Sequence, residues 1–268
     1  MLTETTLNLH LSQGHLKLLE TCPRKFQHTY LEELNSPSNP EQQENQTLGS
    51  RFHLLMQQRE MGLPIDSLLE GHIQLQKWML NFTNVAPEIL TPTQNQSFRA
   101  SEHYRTLQLQ NYLLTVVYDL LITDREKAQI LDWKTYPTPP KDHQLQENWQ
   151  TRLYLYVLAE TSAYLPENIS MTYWFVQSEG QPPNINNIKF NYNTTQHQQI
   201  GKRLDQLLNQ LTNWLEDYQT NQFFPQVREN SKICNDCHFA PRCHRTQARE
   251  KYHKNYLPDF ANIQEVSL

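Results

Sequence analysis

Three groups of residues carry types and spacings suited to chemistry. Asp119 stands in the apolar run VVYDLLIT, and Asp132 and Lys134 stand in the run ILDWKT, with a polar turn between the two. Residues two apart on a strand project to the same face, so Asp132 and Lys134 emerge together. Folding the two runs into a hairpin brings Asp119 beside Asp132. Paired carboxylates repel unless a cation joins them, and their oxygens suit a hard divalent ion such as Mg²⁺ or Mn²⁺. A lysine on the same face would position a water or offset negative charge developing on a phosphate. The second group is Cys234, Cys237 and Cys243, spaced C-x2-C-x5-C. Three thiolates on one short loop suit a metal. The fourth ligand is either Cys22, 212 residues before Cys234, or one of His238 and His244. Four thiolates fit zinc or an iron–sulfur cluster. The third group is Gln150 and Tyr154, which share one face of a helix and can hydrogen-bond a phosphate or base.

These residues need elements to hold them. A helical pattern over 12–34 is opened by Ser12, which can cap it, and is interrupted at Cys22-Pro23; Leu16, Leu19, Phe26 and Tyr30 make its buried face. A polar linker is expected over 35–47. A helix comes next, with Phe52, Leu55 and Met56 inward and His53 in its first turns, where histidine serves as either a structural residue or a ligand. Another helix is expected over 65–82, with Leu68, Leu69, Ile73 and Trp78 inward. Strands over 98–109, carrying Glu102, then 112–122 and 129–134 form a meander. A proline-rich loop (136–143) leads to the helix of Gln150 and Tyr154. A strand at 171–177 has INNIKFNYN as its expected partner. Residues 194–219 make a helix whose leucine stripe runs from Ile200 to Tyr218 in steps of three and four.

Composition narrows the function classes. Among 268 residues, 23 Lys and Arg against 28 Asp and Glu give a net charge of −5. No global basic field advertises nucleic acid, so any such site is a local patch. Hydrophobic content is 37% and mean hydropathy −0.75, much of the polarity coming from Gln and Asn. No run of 18 apolar residues suggests a membrane span, and the N-terminus does not read as a secretory signal. A cytoplasmic location is expected, where reduced cysteines favour metal binding over disulfides.

Taken in order, the motifs resemble the RecB-like branch of the PD-(D/E)xK nucleases, which includes the AddB nuclease domain and the CRISPR-adaptation nucleases. SQGHLKLLETCPRKF is similar to that branch's N-terminal Ser…Cys-Pro-Arg-x-Phe segment, and LGSRFH to its Gly-x-x-x-His helix. VVYDLLITD resembles the first acidic strand, LDWKT the Asp-x-Lys strand, and QTRLY the Gln-x-x-x-Tyr helix. The three late cysteines resemble the iron–sulfur subset. One departure stands out: where the family usually carries Gly-x-x-Asp, Val116 replaces the glycine.

The resemblance implies an α/β fold: a restriction-endonuclease-like core with a central mixed sheet flanked by helices, a helical N-terminal segment and a C-terminal cysteine loop. It implies one nuclease domain over 1–268, with 12–34 bearing the first cluster cysteine, 98–177 the catalytic core, 194–219 a long helix, 234–243 the cysteine loop and 245–268 a tail. Asp119 and Asp132 would hold Mg²⁺ or Mn²⁺ with His53 and the carbonyl of Trp133. Lys134 would act on the water or the transition-state charge, and Gln150 and Tyr154 would steer the strand. Cys22, Cys234, Cys237 and Cys243 would bind a 4Fe–4S cluster, with Zn²⁺ as the alternative. Arg24 and Lys25 are candidate phosphate contacts, and Glu102 a candidate outer member of the metal site. The activity implied is hydrolysis of DNA, with exonuclease ahead of endonuclease action. Single strands or ends in DNA repair, recombination or CRISPR adaptation would be the substrate, and a helicase or CRISPR-adaptation protein the partner. From their place in the sequence beside the catalytic strand, Tyr136, Trp149 and Tyr154 are either core residues or stack on bases. The alternative is a catalytically silent DNA-binding or scaffold subunit of a helicase–nuclease complex.

Overall fold

The computed structural model describes residues 9–34, 40–93, 95–136, 140–177, 186–229 and 231–245. Its elements are β1 (Leu9–Leu11), α1 (Gln13–Thr21), α2 (Pro23–Phe26) with a π-helical turn over Gln27–Leu31, α3 (Pro40–Glu60), α4 (Asp66–Leu69), α5 (Ile73–Val85), α6 (Pro87–Leu90), β2 (Phe98–Leu109), β3 (Tyr112–Thr123), β4 (Ala128–Lys134), α7 (Asp142–Gln146), α8 (Trp149–Glu160), β5 (Ile169–Phe175), β6 (Asn186–Asn191) and α9 (Thr194–Gln219). The chain divides into two compact units, Met1–Lys17 with Ser38–Gln210, and Leu18–Pro37 with Leu211–Leu268.

The first unit is built on a mixed sheet ordered β1-β3-β4-β5-β6, with β2 also paired to β3. β2, β3 and β4 form the expected antiparallel meander. β4 and β5 run parallel, with α7 and α8 between them in sequence, and β6 returns antiparallel to β5. Buried and half-buried residues alternate along most of β3, as a period-2 strand between two layers requires. The inward stripe of α3 (Phe52, Leu55, Met56) packs with Trp78 and Phe82 of α5 and with Leu120, Leu131, Trp133 and Trp174 of the sheet. Phe82 meets Trp133 and Trp174 edge-on at 5.2 and 5.4 Å. Burying one such ring contributes about 3 kcal/mol, so α3 is held firmly and its other flank is free to present polar groups. The result is a mixed α/β architecture with a central mixed sheet flanked by helices, as expected.

In the second unit, Phe224 is a hub. Phe26 stacks near it at 6.2 Å, and Trp214 and Tyr218 lie 5.7 and 6.0 Å away. The buried Gln27 accepts the Phe224 amide at 2.7 Å, which satisfies a main-chain donor that has no sheet or helix partner.

Several local expectations are corrected. Pro40–Thr47 is not linker but the start of α3; proline is well suited to a first helical position, where its missing N–H is no loss. Residues 35–39 lie outside the described residues. The helix expected over 65–82 is two helices, broken at Gly71 with φ +73°, a conformation glycine adopts freely; Ile73 is then 81% exposed. Tyr30 is 40% exposed rather than inward, because the π-helical turn widens the spiral there. Ser12 does stand immediately before α1, its carbonyl accepting the Leu16 amide at 3.1 Å, with its hydroxyl 2.8 Å from His15 Nδ1. The 136–143 loop contains the start of α7 at Asp142, while 137–139 lie outside the described residues, as does the 245–268 tail beyond Arg245. β1 has no counterpart in the sequence expectations.

Candidate active site

The site lies where β3 and β4 part. Their ladder is paired at Leu120 with Leu131, and the next step in the same register sets Asp119 opposite Asp132. Asp119 Oδ2 accepts the Trp133 amide at 2.6 Å, so the carboxylate stands in for a missing ladder carbonyl. Asp119 Oδ1 faces His53 Nδ1 of α3 at 3.3 Å. On the other side, the β2 register sets Glu102 opposite Asp119, between the pairs Ser101–Leu120 and His103–Tyr118. Glu102 has φ +47°, a left-handed conformation that non-glycine residues adopt at a cost of about 1 kcal/mol or more. The ladder skips this residue, and its carboxylate lies 4.0 Å from His53 Nδ1. One ligand atom each from His53, Glu102 and Asp119 lie within 4.8 Å of one another.

Beside this trio is a closed ring of polar contacts. Lys134 Nζ is 2.7 Å from Asp132 Oδ2 and donates to Gln150 Oε1 at 2.9 Å; Gln150 Nε2 donates to Asp132 Oδ1 at 2.7 Å. α8 is capped by Asn148, whose side chain accepts the Gln150 amide, which fixes Gln150 at the helix entry. Asp132 is 1% exposed. Burial, and then the Asp119 charge, holds its carboxyl well above the usual carboxylate range, against the pull of Lys134 and His53. For Lys134, burial acts downward, but Asp132 and Asp119 more than offset it and the ammonium is favoured. The two partners are thus unequal: the more deeply buried carboxylate bears the larger desolvation cost. His53 is likewise shifted up by Asp119, Asp132 and Glu102 despite burial, and Glu102 is shifted up by burial and by Asp119. His53, Glu102 and Asp119 could together hold a hard divalent cation, and beside them Asp132 Oδ2 is buried and without a hydrogen bond beyond the Lys134 contact.

Tyr154 and the Trp133 main chain adjoin this ring. Tyr154 is 4% exposed, its phenol within hydrogen-bonding reach of the Gln150 side chain and the Val117 main chain, and burial shifts its pKa upward. It braces Gln150 and does not face an open surface. The Trp133 ring is in the core, while its main chain, the part expected at the metal site, bonds Asp119. Trp149 is buried too, and only Tyr136 of the three stacking candidates is open, lining a cleft with His53 and Glu102. Glu102's full part in the trio was not legible: nothing local marks a glutamate as the residue that breaks its own ladder.

In the second unit, Cys22, Cys234, Cys237 and Cys243 line one enclosed space with His28 and Arg245, and all four are free thiols. Burial raises the Cys234 and Cys243 thiols, and the neighbouring cysteines add to it, while Arg245 and Arg24 oppose. His238 and His244 are exposed and outside that lining. Arg24 is a structural pin: Nε donates to the Phe224 carbonyl at 2.7 Å and the guanidinium lies 4.7 Å over the Phe223 ring.

A mixed sheet with an acidic pair, a lysine two residues on and a bracing glutamine defines a class. The sequence matches the profile of the PD-(D/E)XK nuclease superfamily over residues 10–244, and the chain belongs to that superfamily. Among solved structures it is similar to a candidate exonuclease from Eubacterium rectale, with 11% identity, a TM-score of 0.51, and coverage of 88% of this chain and 92% of that one. The protein SSO0001 is similar at 16% identity and a TM-score of 0.36, over 88% of this chain and 86% of its own. No curated protein sequence matches. Among the described residues, no helix is long and apolar enough to cross a membrane.

Proposed function

We propose that this nuclease hydrolyses DNA phosphodiesters with a divalent metal, acting on single strands or ends, with exonuclease ahead of endonuclease action. The observation that carries the reading is the convergence of His53, Glu102 and Asp119 beside the Asp132–Lys134–Gln150 ring. His53, Glu102, Asp119 and Asp132, with the Trp133 carbonyl, would hold Mg²⁺ or Mn²⁺. When bound, such an ion polarises a phosphoryl oxygen and lowers the pKa of a water. Lys134 supplies a fixed ammonium on the same sheet face as Asp132, where it can stabilise charge on the reacting phosphate. Gln150 keeps that ammonium aimed, and Tyr154 keeps Gln150 in place. The four cysteines would hold a 4Fe–4S cluster of structural role, with zinc the competing occupant; their shared cavity supports this reading. A cytoplasmic location and a helicase or CRISPR-adaptation partner in repair, recombination or adaptation complete the proposal.

The test is incubation of anaerobically purified protein with end-labelled single- and double-stranded DNA in Mg²⁺, Mn²⁺ or EDTA. Cutting is expected only with the metals and faster on the single strand. Asp119→Asn and Lys134→Ala should each lower the rate roughly 10²–10³-fold. A folded protein that binds DNA but cuts nothing in either metal would establish a silent binding subunit instead.

A further inference from the structure

The cleft beside the metal trio has an unusual lining for a protein that handles a polyanion. It is an open groove of about 800 Å³, bordered by His53 and Glu102. One wall is a stripe of α3: Gln46, Ser50, Leu54 and Gln57. Their spacing of four, four and three puts them on one helical face. The other wall is Thr135 and Tyr136, just past β4. Among the described residues, no lysine or arginine lines it, and Lys134 is already engaged by Asp132 and Gln150.

Resting on the nuclease reading of the adjacent trio, we infer that this cleft grips a single strand through its bases rather than its phosphates, with Tyr136 as stacking platform and Gln46 and Gln57 as base-edge partners. A primary amide donates and accepts at once, which matches the mixed edges of bases and not the acceptor-only surface of a phosphate. Tyr136 is 37% exposed, and its ring packs edge-on against Phe175 at 5.6 Å. One side is held and the remainder open, as a stacking platform needs. Leu54, 41% exposed, adds apolar surface that base faces can cover. A duplex hides the edges this lining would read. The stripe and the metal-binding His53 share α3, so base contacts would set which phosphate reaches the trio.

The test is equilibrium binding in EDTA, where no cutting occurs, read by anisotropy of a fluorescein-labelled oligonucleotide. The strand for comparison has the same length and backbone but abasic sites throughout. The base-bearing strand should bind about tenfold tighter or more. Raising KCl from about 50 to 200 mM should weaken binding less than about threefold, as for one phosphate contact, whereas six would cost roughly 300-fold. Tyr136→Leu should remove most of the advantage of the base-bearing strand and leave the abasic strand unchanged, and Tyr136→Phe should keep it. Equal affinity for both strands, a hundredfold loss with salt, or no binding of either would overturn the inference. Base-dependent binding by a protein that fails to cut in Mn²⁺ supports the inference and removes the nuclease reading; cutting without base dependence does the reverse.

Discussion

Replacing Lys134 with methionine should destabilise the protein in a way that acid repairs. Asp132 is 1% exposed and Lys134 lies 2.7 Å from it. Methionine fills the space of the lysine stem but leaves the carboxylate with Gln150 as its remaining partner. Removing one member of a buried pair costs about 3 kcal/mol or more, because a charge is left uncompensated. For a chain of this size that is roughly 6–12 °C in Tm. The Asp132 carboxyl is already raised by burial and by Asp119, and losing Lys134 raises it further. A carboxylate whose folded pKa exceeds its unfolded value binds its proton more tightly when folded. Its penalty is therefore absent below the unfolded value and grows as pH rises through the folded one. The variant's deficit, measured by thermal denaturation in EDTA, should be largest near about pH 8 and shrink toward about pH 5. Adding Asp132→Asn to Lys134→Met should recover most of the loss at pH 8, since the double variant buries no charge. A Lys134→Met protein as stable as the parent at pH 8, or one whose deficit does not change with pH, would refute the reasoning.

Three other substitutions have distinct expected outcomes. Glu102→Gln keeps the shape of the side chain but removes a charge from the trio, so the Mn²⁺ concentration for half-maximal cutting should rise about tenfold or more; an unchanged requirement would exclude Glu102 from the metal site. Gly49→Val would place a Cβ 2.8 Å from Thr135 Oγ1, so it should lower Tm and cutting together, and a parent-like Tm would show that the Thr135 hydroxyl turns away at little cost. Cys22→Ala should lower stability and soluble yield, with loss of activity tracking unfolding. Anaerobic parent protein should be brown, with about four irons per chain; a colourless preparation with one zinc would remove the cluster and leave the nuclease reading intact.

The acidic pair and Lys134 are legible in the sequence because strand periodicity alone puts Asp132 and Lys134 on one face, and the turn between runs returns the chain beside Asp119. Both strands, the meander and α9 form where periodicity places them. Residues whose position depends on something outside their own segment are harder. α8 is buried on nearly every side, so no periodic stripe separates Tyr154's covered face from an open one, and a face shared with Gln150 is not a surface shared with it. Glu102 depends on cross-strand register and on one left-handed residue, neither of which leaves a local mark. The first turns of α3 read as linker because their side chains are polar all round. A helix of that kind is anchored by its later turns, at Phe52 and Leu55, rather than by its own first ones.

Asp119 has two oxygens with different employers. Oδ2 holds the Trp133 amide at 2.6 Å and Oδ1 faces His53. The first bond joins the two strands of the hairpin, and the second faces the trio. The carboxylate is thus already oriented by strand pairing, so an ion bound as proposed would face little ordering entropy at Asp119. The same arrangement makes alanine a poor probe at position 119, since it would delete a strand-pairing acceptor along with the proposed ligand. Asparagine, which retains an oxygen for Trp133, separates the two losses.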